Sequence, residues 1–398
     1  MTRGRFSQGA RRLAALFVLA AFPAIAPAKP PPPAPPGAIA VAGSPTGIAL
    51  LPDGRIVAGF EGRFGQGGGV ELFDRVADGY AAAATLRGSA PVEGVAVDPA
   101  GRTVVATTRI GLEAVDVAAF ARGSAEFASL RTGAAPDANQ ILFSRDGEHV
   151  FFTVQRYAEL DVARVTPAGG AGKPGLAVVA RVPLDREPGG LAQSSDGATL
   201  YVTSEVDNAD PKTVAGANDP ALGRVKCPTS MAPNGVLAAV DTAKALGDPA
   251  HAVVARVAAG CGPTRVALSP DGRIAWVSVR GENRVLAFDT AKLRGDAARA
   301  FLAATPVGDV PVGLAVSADG RTLLVANSHR SRDADDMVAA NLSLLDPAAA
   351  LAGKPALLRT LPTGALAREV VALPGGGFLV TDYLSKAIAR VGAFIERT

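Results

Sequence analysis

The residues able to do chemistry in this chain are few and scattered. Three histidines, His149, His251 and His329, lie too far apart for a sequence-local metal site. There is no G-x-S-x-G elbow, no H-E-x-x-H helix and no glycine-rich phosphate loop between a strand and a helix. A reactive or binding centre must therefore be assembled from distant stretches. Gln140, Arg265 and Glu369 form one candidate set; Glu61, Arg109, Gln155, Glu205, Arg280, Ser328 and Tyr383 form a second. Carboxylates beside guanidiniums suit an anionic or sugar-like ligand, because the arginine fork matches carboxylate and phosphate geometry. The plainer alternatives are a mutually satisfied polar ring for the first set and ordinary exposed loop charge for the second.

Both sets emerge only against a repeat. Residues 262–289 read as an apolar strand (265–269), a Pro-Asp-Gly turn (270–272), a second strand (274–279), a polar loop and a third strand (284–288). The turn glycine recurs at Gly54, Gly101, Gly147, Gly197, Gly272, Gly320 and Gly376, at intervals of 47, 46, 50, 75, 48 and 56 residues. A period of roughly 40–50 residues with strand patterning predicts a propeller with one four-stranded sheet per blade. The expected fold is an all-β, seven-bladed β-propeller over residues 38–398, a single domain in which the fourth blade carries an insertion at about 205–234. The residue starting the innermost strand is Gly47, Gly94, Gly190 or Gly313 in four copies and Gln140, Arg265 or Glu369 in the others. These three large side chains should therefore ring the channel mouth. The second set follows the second strand of each copy and should form a wider ring on the same face. The last copy has only three strands, and residues 38–42 (AIAVA) form a strand with no partner in their own copy. That strand is expected to complete blade seven and close the ring, since an open ring would expose two sheet edges. Aspartates before the turn glycines, and those ending the third strands, read as turn residues.

The strand positions carry a family resemblance. Leu200-Tyr201-Val202-Thr203-Ser204 in copy four, and Leu323-Leu324-Val325-Ala326-Asn327-Ser328 after Pro311-Val312-Gly313-Leu314-Ala315-Val316-Ser317-Ala318-Asp319-Gly320 in copy six, resemble the YVTN-type β-propeller repeat. That repeat occurs in bacterial extracytoplasmic proteins, and related seven-bladed propellers form the lactonase family. The resemblance spans about residues 38–394. It implies two functions. One is an exported binding or scaffold protein working through its loop-bearing face and channel mouth. The other is a lactone hydrolase, gluconolactonase-like or phosphogluconolactonase-like, with its site at that mouth. Enzymes of the group use acid, arginine and histidine side chains there, and Glu205, Arg280 and His329 are of suitable type. The gluconolactonase-like branch holds a divalent metal with Glu, Asn and Asp; Glu93 and Asn139 are placed for this, with no matching Asp. A single Trp is too few for the Trp-rich repeat of pyrroloquinoline quinone propellers.

The N-terminus reads as a targeting segment. Arg3, Arg5, Arg11 and Arg12 precede an apolar core at 13–22 and small-x-small cleavage candidates at 24–28, which is the pattern of a secretory signal peptide over 1–28. A proline-rich spacer follows at 29–37. The chain is +3 overall; removing 1–28, with four arginines and no acid, leaves −1 and no basic surplus for nucleic acid. The expected location is periplasmic or secreted, with a partner protein or a small sugar-acid or lactone ligand, no transmembrane segment after cleavage, and a monomeric state. Cys227 and Cys261 fall in loops on the same face of neighbouring blades, so a disulfide is expected, with two free thiols as the alternative. A second long loop, 328–340, contains Asp333, Asp335 and Asp336, read as a solvated acidic loop or a cation site.

Overall fold

The computed structural model describes residues 32–62, 67–134, 136–169, 172–207, 214–216, 222, 227, 234–329 and 340–392. Seven four-stranded antiparallel sheets close into a ring, so the expected fold is the observed one. Blade 1 runs Ser44–Leu50, Ile56–Glu61, Gly68–Val76 and Gly79–Gly88, from the channel outward. Blades 2 to 6 repeat this order, their innermost strands being Val92–Val97, Ala138–Phe143, Arg186–Gln193, Pro263–Leu268 and Pro311–Val316. Blade 7 takes three strands from the C-terminal end, Ala367–Ala372, Phe378–Asp382 and Ala387–Val391, and its outermost strand from the N-terminal side. That strand, Ile39–Ala40, pairs with Ile388 and Ala387, and the Val41 amide adds a bond to the Lys386 carbonyl at 2.9 Å.

The core sits between the blades. Second and third strands are buried on both faces, so they read as near-continuous apolar runs, and seven clusters join each blade to its neighbours. The turn aspartates behave as expected: Asp271, for example, accepts the Arg273 amide at 3.1 Å. Those ending third strands do more than turn the chain. Asp116, Asp241, Asp289 and Asp346 cap short helices (Val117–Ala121, Thr242–Gly247, Thr290–Gly295 and Pro347–Leu351) that the sequence reading did not anticipate.

One feature of the innermost strands governs the site. Each carries a register irregularity at or beside the ring position, and a bulge there re-aims the side chain and frees a backbone N–H. A buried hydroxyl on the second strand takes up that N–H. The Gly190 amide donates to Thr203 Oγ1 at 2.8 Å, and the Thr203 hydroxyl lies 3.2 Å from the Thr264 carbonyl of the next blade. Thr107, Thr153 and Ser278 do the same, so the relay runs from blade to blade. Replacing Thr203 by valine keeps the shape but orphans two buried backbone groups. The expected loss is about 2–4 kcal/mol in a urea titration; a change under about 1 kcal/mol would remove the relay from the account of ring stability.

Candidate functional site

The three large ring residues meet across the channel. Glu369 Oε2 lies 2.8 Å from Gln140 Nε2 and 3.4 Å from Arg265 Nε. Arg265 Nη2 also reaches Asn139 Oδ1 at 3.4 Å, and Nη1 the Thr264 carbonyl at 3.3 Å. Blades 3, 5 and 7 thus supply a polar crosspiece, with Arg265 only 7% exposed. Glycine in the preceding blade makes room for each. A Cβ at Gly190 would lie 2.6 Å from the Arg265 Cα, and one at Gly313 would lie 2.1 Å from the Arg368 carbonyl oxygen. The alternation of glycine with a large polar residue is therefore a steric requirement of neighbouring innermost strands.

Beside this crosspiece lies a cavity of about 470 Å³ to which all seven blades contribute. On one side, blades 1, 2 and 7 build a charged cluster. Arg109 reaches Glu61 at 3.2 Å and Glu93 at 3.5 Å. Arg368 lies 3.8 Å from Glu93 and 5.3 Å above the Tyr383 ring, whose hydroxyl donates to Glu61 at 2.5 Å. On the other side, Arg280 pairs with the buried Glu205. Burial pushes the Glu93 and Glu205 carboxyls above the usual range against the pull of their arginines. Burial and the bond to Glu61 raise the Tyr383 hydroxyl to about 12. The buried carboxylates hold the guanidiniums of Arg109, Arg280 and Arg368, which are more exposed than their partners, at the cavity wall. Such an arrangement offers fixed, partly neutralised N–H donors to an oxyanion.

A local backbone device sets these positions. Asp137, Gly262, Val310 and Leu366, each three residues before a ring position, have φ of 49°, 67°, 53° and 56°. The carbonyl of each accepts the amide of the residue that follows the second strand: Gln155, Arg280, Ser328 and Tyr383 at 3.2, 3.2, 2.9 and 3.2 Å. The second ring is thereby pinned by its backbone. Only Gly262 betrays this left-handed position in the sequence, since glycine alone adopts it without cost.

Most candidate residues converge. Glu61, Arg109, Gln155, Glu205, Arg265, Arg280, Ser328 and Tyr383 all line the cavity, and Gln140 and Glu369 join through the crosspiece. His329 is not part of the wall. Its Nε2 faces the Asn341 amide at 2.8 Å and its Nδ1 lies 3.7 Å from Asp309. Asn341 Oδ1 accepts from Asn327, so its Nδ2 donates to His329 Nε2 and that nitrogen is occupied. Glu93 and Asn139 both line the cavity, but Glu93 is shared by two guanidiniums and Asn139 Oδ1 faces Arg265, a donor set that does not fit a cation. Among the described residues, the three-ligand group that could hold a cation is Asp146, Glu148 and His149, on the first turn of blade 3 at the opposite end of the channel. Sequence reasoning missed Arg368, Asp137, Glu187 and the apolar Val310, Val312 and Leu366, which also line the cavity.

The disulfide Cys227–Cys261 is present, with Cα atoms 5.5 Å apart. Cys261 ends the outermost strand of blade 4, Val253–Cys261. Within the insertion, Ala215 pairs in parallel with Val257 of that strand, and Val214 and Leu222 are buried in the cluster between blades 4 and 5. The described residues of the insertion therefore lie against the outer strand of blade 4. The bridge closes a 34-residue separation, for which chain entropy gives roughly 4 kcal/mol. The Cys227→Ser variant should lose about that much in a denaturant titration, and reducing the wild type should match it; no difference on reduction would contradict the assignment. The signal-peptide segment, most of the insertion and the acidic residues Asp333, Asp335 and Asp336 lie outside the described residues.

No protein-family model and no curated protein matches the sequence. The fold is similar to that of many solved structures. A chain of Kuenenia stuttgartiensis hydrazine synthase superposes with a TM-score of 0.61 at 16% identity, covering 89% of this chain and 96% of that one. The Cps50 (Swd1) β-propeller domain of Myceliophteria thermophila gives 0.61 at 13% identity, covering 91% and 100%. A protein from Lactobacillus plantarum gives 0.56 at 16% identity, covering 83% and 88%. At these identities the likeness is one of fold alone.

Proposed function

We propose that this protein is an exported YVTN-type propeller that binds a small oxyanion-bearing ligand, free or presented by a partner protein, in the cavity at the channel mouth. The observation that carries the reading is the set of guanidiniums around the cavity wall, each held by a carboxylate from another blade. Buried ion pairs are a poor route to stability, since hydrophobic replacements of similar volume serve as well or better. Their cost is accounted for if they prearrange a binding site. The disulfide suits an oxidising compartment, and no helix among the described residues is long and apolar enough to cross a membrane. Calorimetric titration of residues 29–398 with sugar acids, sugar lactones and short carboxylates tests the reading. Saturable heat that the double variant Arg280→Gln/Arg368→Gln abolishes supports it; saturable heat indifferent to that double variant puts the ligand elsewhere and sinks it.

A second reading, hydrolysis of a lactone, draws support from Glu93 and Glu205, whose carboxyls burial raises above the usual range beside guanidiniums able to steady an oxyanion. It requires lactone turnover that falls by about 100-fold or more in Glu93→Gln or Glu205→Gln. Absence of turnover in a protein that binds lactone would leave binding as the function.

A further inference from the structure

The cavity wall is chemically lopsided, and the lopsidedness specifies the ligand. Blade 6 and the start of blade 7 present an apolar arc, Val310, Val312 and Leu366. Two of these sit at φ of 53° and 56°. A left-handed backbone costs a β-branched or bulky residue of the order of 1–2 kcal/mol, where the glycine at the equivalent position of blade 5 pays nothing. Strain that glycine would relieve, retained beside a cavity, points to a use for the side chains it carries.

Guanidiniums flank this arc, Arg280 on the blade 5 side and Arg368 on the blade 7 side. Arg280 is tied to Glu205 by a close ion pair. Arg368 is less committed: its Glu93 contact is 3.8 Å, outside hydrogen-bond range, and its guanidinium carbon sits 5.3 Å above the Tyr383 ring. Its fork is free to take a carboxylate. Around the ring, blades 3 and 4 bring Asp137 and Glu187, which carry no ion pair among the described residues. Counting Glu61, Glu93, Glu205, Glu369 and these two against Arg109, Arg265, Arg280 and Arg368, acids exceed bases by two. A second negative charge on the ligand would face that surplus unpaired.

Resting on the binding function proposed above, we infer that the ligand is an amphipathic monocarboxylate, its apolar body on Val310, Val312 and Leu366 and its carboxylate on Arg368. The volume, about 470 Å³, lies in the lower part of the roughly 300–1,000 Å³ range of small-molecule sites. Calorimetry on residues 29–398 with 4-methylpentanoate, 4-methylpentanamide, adipate and gluconate tests the assignment. The monocarboxylate should bind at least tenfold more tightly than each of the other three. Arg368→Gln should weaken it about tenfold or more and Leu366→Ser several-fold, with both variants keeping the wild-type circular dichroism. Gluconate or adipate binding in preference to 4-methylpentanoate would overturn the ligand class while leaving the cavity as the site. Binding of 4-methylpentanoate indifferent to both Arg368→Gln and Leu366→Ser would overturn the placement. No heat with any of the four would overturn this inference, and the sugar lactones with the double variant Arg280→Gln/Arg368→Gln would then decide the broader reading separately.

Discussion

Replacing Arg265 by alanine is expected to cost about 3–5 kcal/mol of folding stability, because it strands the Glu369 carboxylate at the channel centre with one neutral partner. The remaining partner is Gln140, at 2.8 Å; the guanidinium it loses lies at 3.4 Å. Three further contacts of Arg265, to Asn139, to the Thr264 carbonyl and through its amide to Ser278, show how completely the side chain and its backbone are specified. The decisive comparison is with the double variant Arg265→Met/Glu369→Met. Removing both charges together leaves no unpaired ion, so most of the stability should return, as is usual when hydrophobic side chains replace a buried pair. Ligand binding should not return, because the cavity has lost the guanidinium beside it. Recovery of both properties would reduce the crosspiece to a space-filler; recovery of neither would mark it as a folding element alone. Denaturant titration reads the first property and calorimetry the second.

A chain shortened to begin at Ser44 should fail to form a stable monomeric ring. The shortened chain loses the Ile39–Ala40 pairing with Ile388 and Ala387, the Val41 amide bond to Lys386 and the Ala42 amide bond to Glu71 at 2.7 Å. It also uncovers Ile388, which is fully buried in the intact molecule. Blade 7 would then present an open edge along Ala387–Val391, a template for pairing with another chain. The expected results are a midpoint lower by 10 °C or more, corresponding to several kcal/mol, and higher-order association in size-exclusion chromatography. A chain beginning at residue 29 should behave as wild type, since the chain at residue 32 still docks its carbonyl on Ser385 at 2.9 Å. A monomeric Ser44 chain with an unchanged midpoint would show that ring closure does not hold this fold together.

The repeat, the blade number and the closing strand were legible because each rests on patterns written at short range: Pro-Asp-Gly turns, runs of buried strand, a last copy short of one strand. Ring membership was legible because copies could be compared with one another, which singled out Gln140, Arg265 and Glu369. What those residues do to each other was not, since Gln140 and Glu369 are 229 residues apart and meet only across the closed channel. The helices after the third strands escaped notice because five or six residues show no period. The left-handed positions were hidden because aspartate, valine and leucine occupy them where glycine would have been a signal. His329 looked like a general base as a lone histidine on the right face. Only its partners Asn341 and Asp309 reveal that it ties loops together. Within the insertion, Val214 and Leu222 were lost in polar, proline-rich sequence, though both are buried in the cluster between blades 4 and 5.

The most direct test of a binding cavity at the channel mouth is a thermal-shift titration of residues 29–398 with sugar acids, sugar lactones, short carboxylates and divalent salts, run beside the double variant Arg280→Gln/Arg368→Gln. A ligand at a hundred times its dissociation constant adds about 2.7 kcal/mol. The midpoint should rise saturably with a carboxylate-bearing probe, with or without chelator, and the rise should disappear in the double variant. A folded protein whose midpoint responds to none of the probes, or responds equally in wild type and variant, would contradict a binding cavity there.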